Sequence, residues 1–534
     1  MELKNPEVWR YTTPRSSENI PESSANRSET TIESVNIVLI PKREHMQQDC
    51  LAAKDTELQK LSHFDTYEIV HDTGQERIST TWVLWKKGEE TRARLVARGF
   101  EEEADIPKDS PTVSKDSMRV FLAIAAHKGW SVKTTDIKSA FLQGKTLDRD
   151  VFITPPIEAN VESGYLWKLK KCLYGLNDAA RQFYESVLET LKSLKCRQSV
   201  HDPALFYYRQ NGCLQGMIVT HIDDFLHCGE SIFDSEVMGE LRSRFVAGRL
   251  EECDFSYVGF GIQQTGNGIV MNQEAYLDNI EIPSVSKQRA LMPRTESLTS
   301  AEYTIFRGIV GKLNWISHGT RPDLAFDTVT LSMKFKAADL GDLLQAIKCI
   351  KKSTMEPTTV SFPSLATPDS WRIIVFSDAS HANLVDGVSN MGAHVVFLVD
   401  KDRNMCPLGW SGNKIKRVVR STLAAETLSM VEATEHALYL RETLKELLPY
   451  DLPITAIVDN KSLVESVNST KLVDDKRLRI DLATVKELLK RGELAHIKWC
   501  PGEFQIANCM TKKGASSRDL LRLLNTGKIE NEYV

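Results

Sequence analysis

No apolar run in this 534-residue chain reaches the roughly 18 residues that a membrane span needs. Even FLAIAAHKGW is interrupted by His127 and Lys128, so a soluble chain without membrane partners is expected. The ten cysteines run from Cys50 to Cys509 without a C-x-x-C pair. That excludes a zinc-finger spacing and a disulfide framework, and predicts reduced core residues. The N-terminal MELKNPEVWRYTTPRSS has charges and proline where a secretory signal needs an apolar core, which makes an intracellular location the default. An excess of basic charge is missing too. With 67 Lys and Arg against 72 Asp and Glu, the net charge is −5, so any nucleic-acid contact must come from local patches. No repeat of fixed period is present.

What is there is globular: 42% hydrophobic and 26% charged residues, and a length that corresponds to roughly three or four domains. Residues 11–36 are rich in Ser, Thr, Asn and Glu and cannot offset their own ordering entropy, so residues 1–45 read as a flexible leader. From Met46 the pattern predicts an amphipathic helix over AAKDTELQKLSHF and strands at TYEIV and TTWVLWKK, with the turn signal DTGQ between them. A second shift, at MEPTTVSFPSLATPDS ahead of the apolar WRIIVF, predicts a domain boundary near 355–370.

The acidic residues carry the chemistry. GMIVTHIDDFLHCG reads as a hairpin whose tight end presents Asp223 and Asp224. Adjacent carboxylates repel, and a divalent cation offsets that cost most readily, because Mg²⁺ prefers carboxylate and phosphate oxygens. Asp136 ends the β-type stretch WSVKTTDI and supplies a third acid. Three such acids can share two metals, which lower the pKa of a primer 3′-hydroxyl and stabilise a leaving pyrophosphate. In TRARLVARG, Arg92, Arg94 and Arg98 are evenly spaced, so on a strand all three point to one face suited to bidentate contact with a triphosphate. Further on, Asp378 ends WRIIVFSDAS, Glu426 lies in the long helix of STLAAETLSMVEATEHALYL, and Asp459 closes ITAIVDN. Strand, helix and strand can bring these acids to a second metal pair.

In order, the blocks TTWVLWKK, RARLVARGF, TTDIKSAFLQG, LWKLKKCLYGL, HDPALFYY, HIDDFLHCG, YVGFGI and FRGIVGKLNWISHGTRPDLAF resemble the Pol polyprotein of copia-type LTR retrotransposons, over about residues 56–513. The matching part is its reverse transcriptase and RNase H region. The resemblance implies an α/β and α+β multi-domain fold: reverse transcriptase fingers and palm at 46–270, thumb and connection at 271–365, an RNase H-like domain with a mixed sheet at 366–518, and a C-terminal tail at 519–534. It makes Asp136, Asp223 and Asp224 the catalytic metal ligands of the palm, with the backbone carbonyl of Ile137 as a further ligand. Arg94 and Arg98 match the residues that hold the incoming triphosphate, and Phe141 the ring that excludes a ribose 2′-hydroxyl by clash. Gly175 matches the turn near template and nucleotide. Asp378, Glu426 and Asp459 match the metal-binding catalytic acids of the RNase H domain. The fourth position is Asn508, which keeps a carbonyl oxygen but loses a charge. Lys414, Lys416, Arg417 and Arg420 in NKIKRVVR form a basic cluster suited to a hybrid backbone.

Two further departures stand out. His221 occupies the position where the family usually has Tyr, and NDAA (Asn177 to Ala180) replaces its Lys-Gln-Ser-Pro run. The resemblance implies two Mg²⁺ per active site, with Mn²⁺ as a substitute, and deoxynucleoside triphosphates, an RNA template, a DNA primer and RNA/DNA hybrid as partners. It leaves a homodimer open, and places the protein in the cytoplasm, within virus-like particles, with access to the nucleus. No Gag-like zinc knuckle, aspartic-protease motif or integrase His/Cys site is found, which fits a downstream piece of a polyprotein. Two alternatives are an active polymerase with an inactive RNase H, and a decayed or host-retained element that binds nucleic acid without catalysis.

Overall fold

The computed structural model describes residues 37–103, 106–470, 473–530 and 533. The described residues form two compact units, one within 1–110 and 139–189, the other within 111–138 and 190–534. The leader expected over 1–45 lies outside the described residues up to 36. From there Ile37–Leu39 is already a strand, paired antiparallel with Thr80–Lys87.

In the first unit, Ile37–Leu39, Thr80–Lys87 and Glu90–Ala97 make a three-stranded sheet, flanked by the helix Gln48–His63, which contains the predicted amphipathic stretch AAKDTELQKLSH. Along Glu90–Ala97 the side chains alternate, with Ala93, Leu95 and Ala97 buried and Arg92 and Arg94 exposed. A second sheet joins Tyr67–His71, Tyr165–Leu169 and Phe152–Ile153. Its core centres on Trp167, which is 1% exposed and stacks on Tyr67 with ring centroids 3.8 Å apart.

Among the described residues the second unit holds three sheets. The first has six strands in the order Ala247–Glu252, Lys133–Ile137, Asp224–Gly229, Cys213–His221, Leu205–Gln210, Arg197–Gln198. The second links Asp254–Tyr257, Phe260–Thr265 and Gly268–Asn272 to the distant Val360–Pro363. The third is mixed: Met405–Lys414, Met391–Val399 and Arg372–Ser380 run antiparallel, then Ile454–Val458 and His496–Trp499 add in parallel. The helix Lys115–Lys128 starts at Ser114, whose hydroxyl accepts from the Ser117 amide, and stops at Gly129 with φ 64°. Ser117 to Ala126 are all buried, which is why FLAIAA shows no amphipathic period: the helix is covered on every side. Its residues share one hydrophobic cluster with Phe362, Leu365, Trp371 and Phe376. The composition shift at 355–370 therefore marks no break in packing.

A polar chain crosses this core. Arg119, 2% exposed, donates to Asp116 and to the carbonyls of His318 and Gly319, and its guanidinium lies 3.5 Å from the Trp410 ring centroid. Asp116 accepts from His436, which bonds His394 at 2.8 Å. Two capped helices, Ser300–Gly319 and Leu340–Met355, each begin with a capping box and pack together around Phe306, Leu313 and Ile350. Residues 519–534, which the resemblance sets apart as a tail, include most of the helix Arg518–Thr526, whose Leu520, Leu523 and Leu524 are buried. All ten cysteines are free thiols, eight of them buried.

Candidate active-site residues

The Cys213–His221 and Asp224–Gly229 strands form the expected hairpin, with His221 opposite Asp224 and only Ile222 and Asp223 in the loop. Ile222 has φ 59°, a region that a β-branched residue avoids, so this turn stores strain of about 1–3 kcal/mol where the acids are presented. His221 is half-buried and bridges to Thr112. On the other side of the hairpin, Asp224 lies directly opposite Asp136 of the Lys133–Ile137 strand. The Ile137 amide donates to the Asp223 carbonyl at 2.9 Å, so Ile137 and Asp223 are the hydrogen-bonded pair. Asp136 and Asp224 are then the non-hydrogen-bonded pair, the closer type, with Cα atoms about 4.5 Å apart. Ile137 itself is 2% exposed and flanks Asp136 in the same strand.

Charges of one sign directly across a ladder repel. The Asp224 carboxyl is pushed up to about 6, first by burial and then by Asp223 and Asp136. A bound cation would remove that cost, which is the fit these acids offer a divalent metal. The sequence reading missed one residue that shapes this place. The Ala247–Glu252 strand slips register between Ala247 and Leu250, and a Cβ at Gly248 would come within 2.0 Å of Asp136 Oδ1 and 2.4 Å of its Cγ. Only a glycine leaves that carboxylate its position.

The second group is tighter. Asp378 closes the central Arg372–Ser380 strand, Glu426 lies in the second turn of the Thr422–Leu447 helix, and Asp459 follows the Ile454–Val458 strand. Ligand oxygens of these three acids all lie within 4.8 Å of one another, the only group of three so placed among the described residues. Asp378 is fully buried and Glu426 is 4% exposed. Glu426 Oε2 has no hydrogen-bond partner among the described residues. Burial and the neighbouring Asp378 and Asp459 raise the Glu426 carboxyl, and burial raises Asp378. An orphaned, charge-crowded carboxylate oxygen fits a cation. Glu426 and Asp459 border an open cleft with Ser380, His381, Asn383 and Thr422.

Asn508 does not complete this set as expected. Its amide donates to the Gly502 carbonyl at 2.6 Å and its oxygen accepts from Lys512 Nζ. Lys512 Nζ also lies 3.1 Å from Asp378 Oδ1 and 4.0 Å from Asp459 Oδ2, and Thr511 donates to the other Asp378 oxygen. The basic cluster is partly engaged as well. Arg417 makes a bidentate pair with Asp481 at 3.0 and 2.7 Å, and Lys414 pairs with Asp386 at 3.3 Å, while Lys416 and Arg420 are exposed.

In the first unit, Arg94 is exposed with its guanidinium 4.1 Å from the Tyr174 ring centroid. Phe141, in the short helix Ala140–Gln143, approaches the same ring at 5.3 Å. Gly175 follows with φ 91°, and a Cβ there would sit 2.1 Å from the Ala97 carbonyl oxygen. Tyr174, unremarked in the sequence pattern, is thus the ring that Arg94 and Phe141 share, and Gly175 is its chain neighbour. Arg98 departs from the expected stripe: the strand ends at Ala97, and Arg98 turns into the next helical segment and leans toward Glu101 at 3.7 Å. Even spacing alone ran past the end of the element. The NDAA segment is structural here. Asp178, 1% exposed, takes a bidentate pair from Arg149 at 2.8 and 3.0 Å, and Asn177 donates to the Gly99 carbonyl.

Comparison with known proteins gives a family profile that matches part of the chain, a relative and a fold. A family profile described as reverse transcriptase (RNA-dependent DNA polymerase) matches residues 64–285. The retrovirus-related Pol polyprotein from transposon RE1 of Arabidopsis thaliana is 27% identical over 466 residues, covering 82% of this chain and 30% of its own length. The chain thus spans about a third of that curated relative. Among solved structures, the foamy viral protease-reverse transcriptase dRH in complex with double-stranded DNA matches with a TM-score of 0.53 and 13% identity, over 88% of this chain and 73% of that one. The foamy viral protease-reverse transcriptase in complex with RNA/DNA hybrid gives 0.52 and 13%, over 86% and 54%. Both share the mixed α/β, multi-sheet fold. Among the described residues no helix is long and apolar enough to cross a membrane.

Proposed function

We propose that this chain, whose residues 64–285 match the reverse transcriptase (RNA-dependent DNA polymerase) family profile, is the reverse transcriptase part of a copia-type Pol polyprotein and extends a primer 3′ end with deoxynucleotides on an RNA or DNA template, releasing pyrophosphate. The observation that carries this reading is the direct opposition of Asp136 and Asp224 on adjacent strands, with Asp223 in the strained turn beside them. Asp136, Asp223 and Asp224 hold Mg²⁺, with Mn²⁺ as a substitute and the Ile137 carbonyl as a further ligand. The bound ions supply activation of the primer hydroxyl and neutralisation of the leaving group. Gly248 keeps Asp136 in place. Arg94, its guanidinium preset against Tyr174, and Arg98 orient the triphosphate. Phe141 excludes a ribose 2′-hydroxyl by clash, and Gly175 lets the backbone turn tightly.

On this reading residues 46–270 are fingers and palm, 271–365 thumb and connection, and 366–518 an RNase H-like domain whose acids are Asp378, Glu426 and Asp459. RNA/DNA hybrid is recognised by shape and phosphate contacts, with Lys414, Lys416 and Arg420 the exposed members of the basic cluster. A homodimer, and residence in the cytoplasm within virus-like particles, belong to the same proposal. One observation favours a second reading, an active polymerase without RNA cleavage: Asn508 faces Lys512, so the fourth ligand is already engaged. The test is Mg²⁺-dependent incorporation on a primed RNA template, with RNA-strand cleavage followed in the same reaction. Incorporation lost in Asp136→Asn supports the polymerase. Equal incorporation by wild type and Asp136→Asn refutes it.

A further inference from the structure

The C-terminal acids carry a cation of their own. Lys512 Nζ lies 3.1 Å from Asp378 Oδ1 and 4.0 Å from Asp459 Oδ2, and is held by the Asn508 oxygen. With Thr511 donating to the second Asp378 oxygen, both oxygens of the fully buried acid are occupied by donors from one short segment. Glu426 Oε2 is left without a partner in the same cluster. Asn508 fixes the arrangement: its amide bonds the Gly502 carbonyl, a contact that a carboxylate there could not donate. The Lys512 side chain is nonetheless 42% exposed, and its flexible four-carbon stem can withdraw into solvent.

Resting on the reading of Asp378, Glu426 and Asp459 as a metal site, we propose that Lys512 is a tethered counter-ion which a divalent cation must displace to bind there. The ammonium neutralises part of the three-carboxylate cluster when no metal is bound. It competes for the same Asp378 and Asp459 oxygens when one arrives. Metal affinity at this site is therefore set by the exchange of one built-in cation for an external one, and is weaker than the three acids alone would provide. Asn508 is the positioning residue that aims Lys512 inward.

The test is a Mn²⁺ titration of the full chain, followed by the free-ion paramagnetic resonance signal, with thermal midpoints in chelator as a check of folding. The part of the isotherm removed by Glu426→Gln belongs to this site. Lys512→Met should tighten that part roughly ten- to hundredfold, the factor that corresponds to releasing one charge-assisted hydrogen bond. Lys512→Arg, which keeps the charge, should bind like wild type. Lys512→Gln, neutral but still able to bond Asn508, should show the same gain and serves if the Met variant does not fold. A Glu426-dependent component that Lys512→Met and Lys512→Gln leave unchanged or weaken would overturn the counter-ion role while leaving the metal site standing. Absence of any Glu426-dependent Mn²⁺ binding in wild type and all Lys512 variants would overturn the metal site, and the counter-ion role with it.

Discussion

Gly248→Ala isolates the position of one carboxylate. The new methyl would lie 2.0 Å from Asp136 Oδ1, whereas real Cβ atoms essentially never approach within 3.0 Å, so the carboxylate must move by at least 1.0 Å, the difference between the two. Asp136 is exposed and can swing toward solvent, so the clash is relieved without disturbing the core. Replacing Gly by Ala also removes unfolded-state entropy worth about 0.4–1 kcal/mol. The variant should therefore melt within about 1 kcal/mol of wild type. A reacting group misplaced by about 1 Å costs on the order of 100-fold in rate. Single-nucleotide incorporation with saturating Mg²⁺ should show that loss in kcat, with the KM for the deoxynucleotide little changed, because Arg94 and Arg98 are untouched. Incorporation within twofold of wild type by a folded Gly248→Ala protein would refute the reasoning that Gly248 positions Asp136.

Asp224 makes stability pH-dependent. Its folded pKa of about 6 lies above the ordinary 3.8, so its contribution is full below that value and is lost as pH rises through 6, by up to about 3 kcal/mol and about half that after solvent screening of a partly exposed group. Urea melts in chelator between pH 4 and 7 should show this fall, and Asp224→Asn should flatten it. Glu426→Gln relieves a crowded, orphaned carboxylate, so it should raise stability in chelator by about 1–2 kcal/mol while removing the part of the Mn²⁺ stabilisation that comes from this site. A lower midpoint in chelator would contradict this. Arg119→Ala empties a buried guanidinium site, leaves Asp116 with His436 as its remaining side-chain partner and takes the donor from two carbonyls, and should cost about 3–5 kcal/mol by denaturant unfolding. A loss under 1 kcal/mol would show that the chain of polar contacts is replaceable.

The features legible in the sequence were those set by local pattern. Two apolar stretches around an acidic pair placed Asp223 and Asp224 at the tight end of a hairpin, whose loop is Ile222 and Asp223 with Asp224 opening the second strand, and apolar stretches placed Asp378 and Asp459 near strand ends. What escaped depended on long-range register. Gly248 matters because a bulge brings it beside Asp136, which lies in the neighbouring strand but more than a hundred positions earlier in the chain. Lys512 reads as an ordinary surface lysine until helix and strand bring it over Asp378. Asp178 reads as part of a departure from the family run, yet it anchors Arg149. Arg98 was placed on a strand by even spacing, although spacing carries no signal for where a strand stops.

The most direct test is incorporation of deoxynucleotides on a primed RNA template with Mg²⁺, wild type beside Asp223→Asn, with both proteins shown to be folded and to bind hybrid duplex. The account predicts primer extension by wild type and none by the variant. A folded wild-type protein that binds hybrid but extends no primer with Mg²⁺ or Mn²⁺ would contradict it.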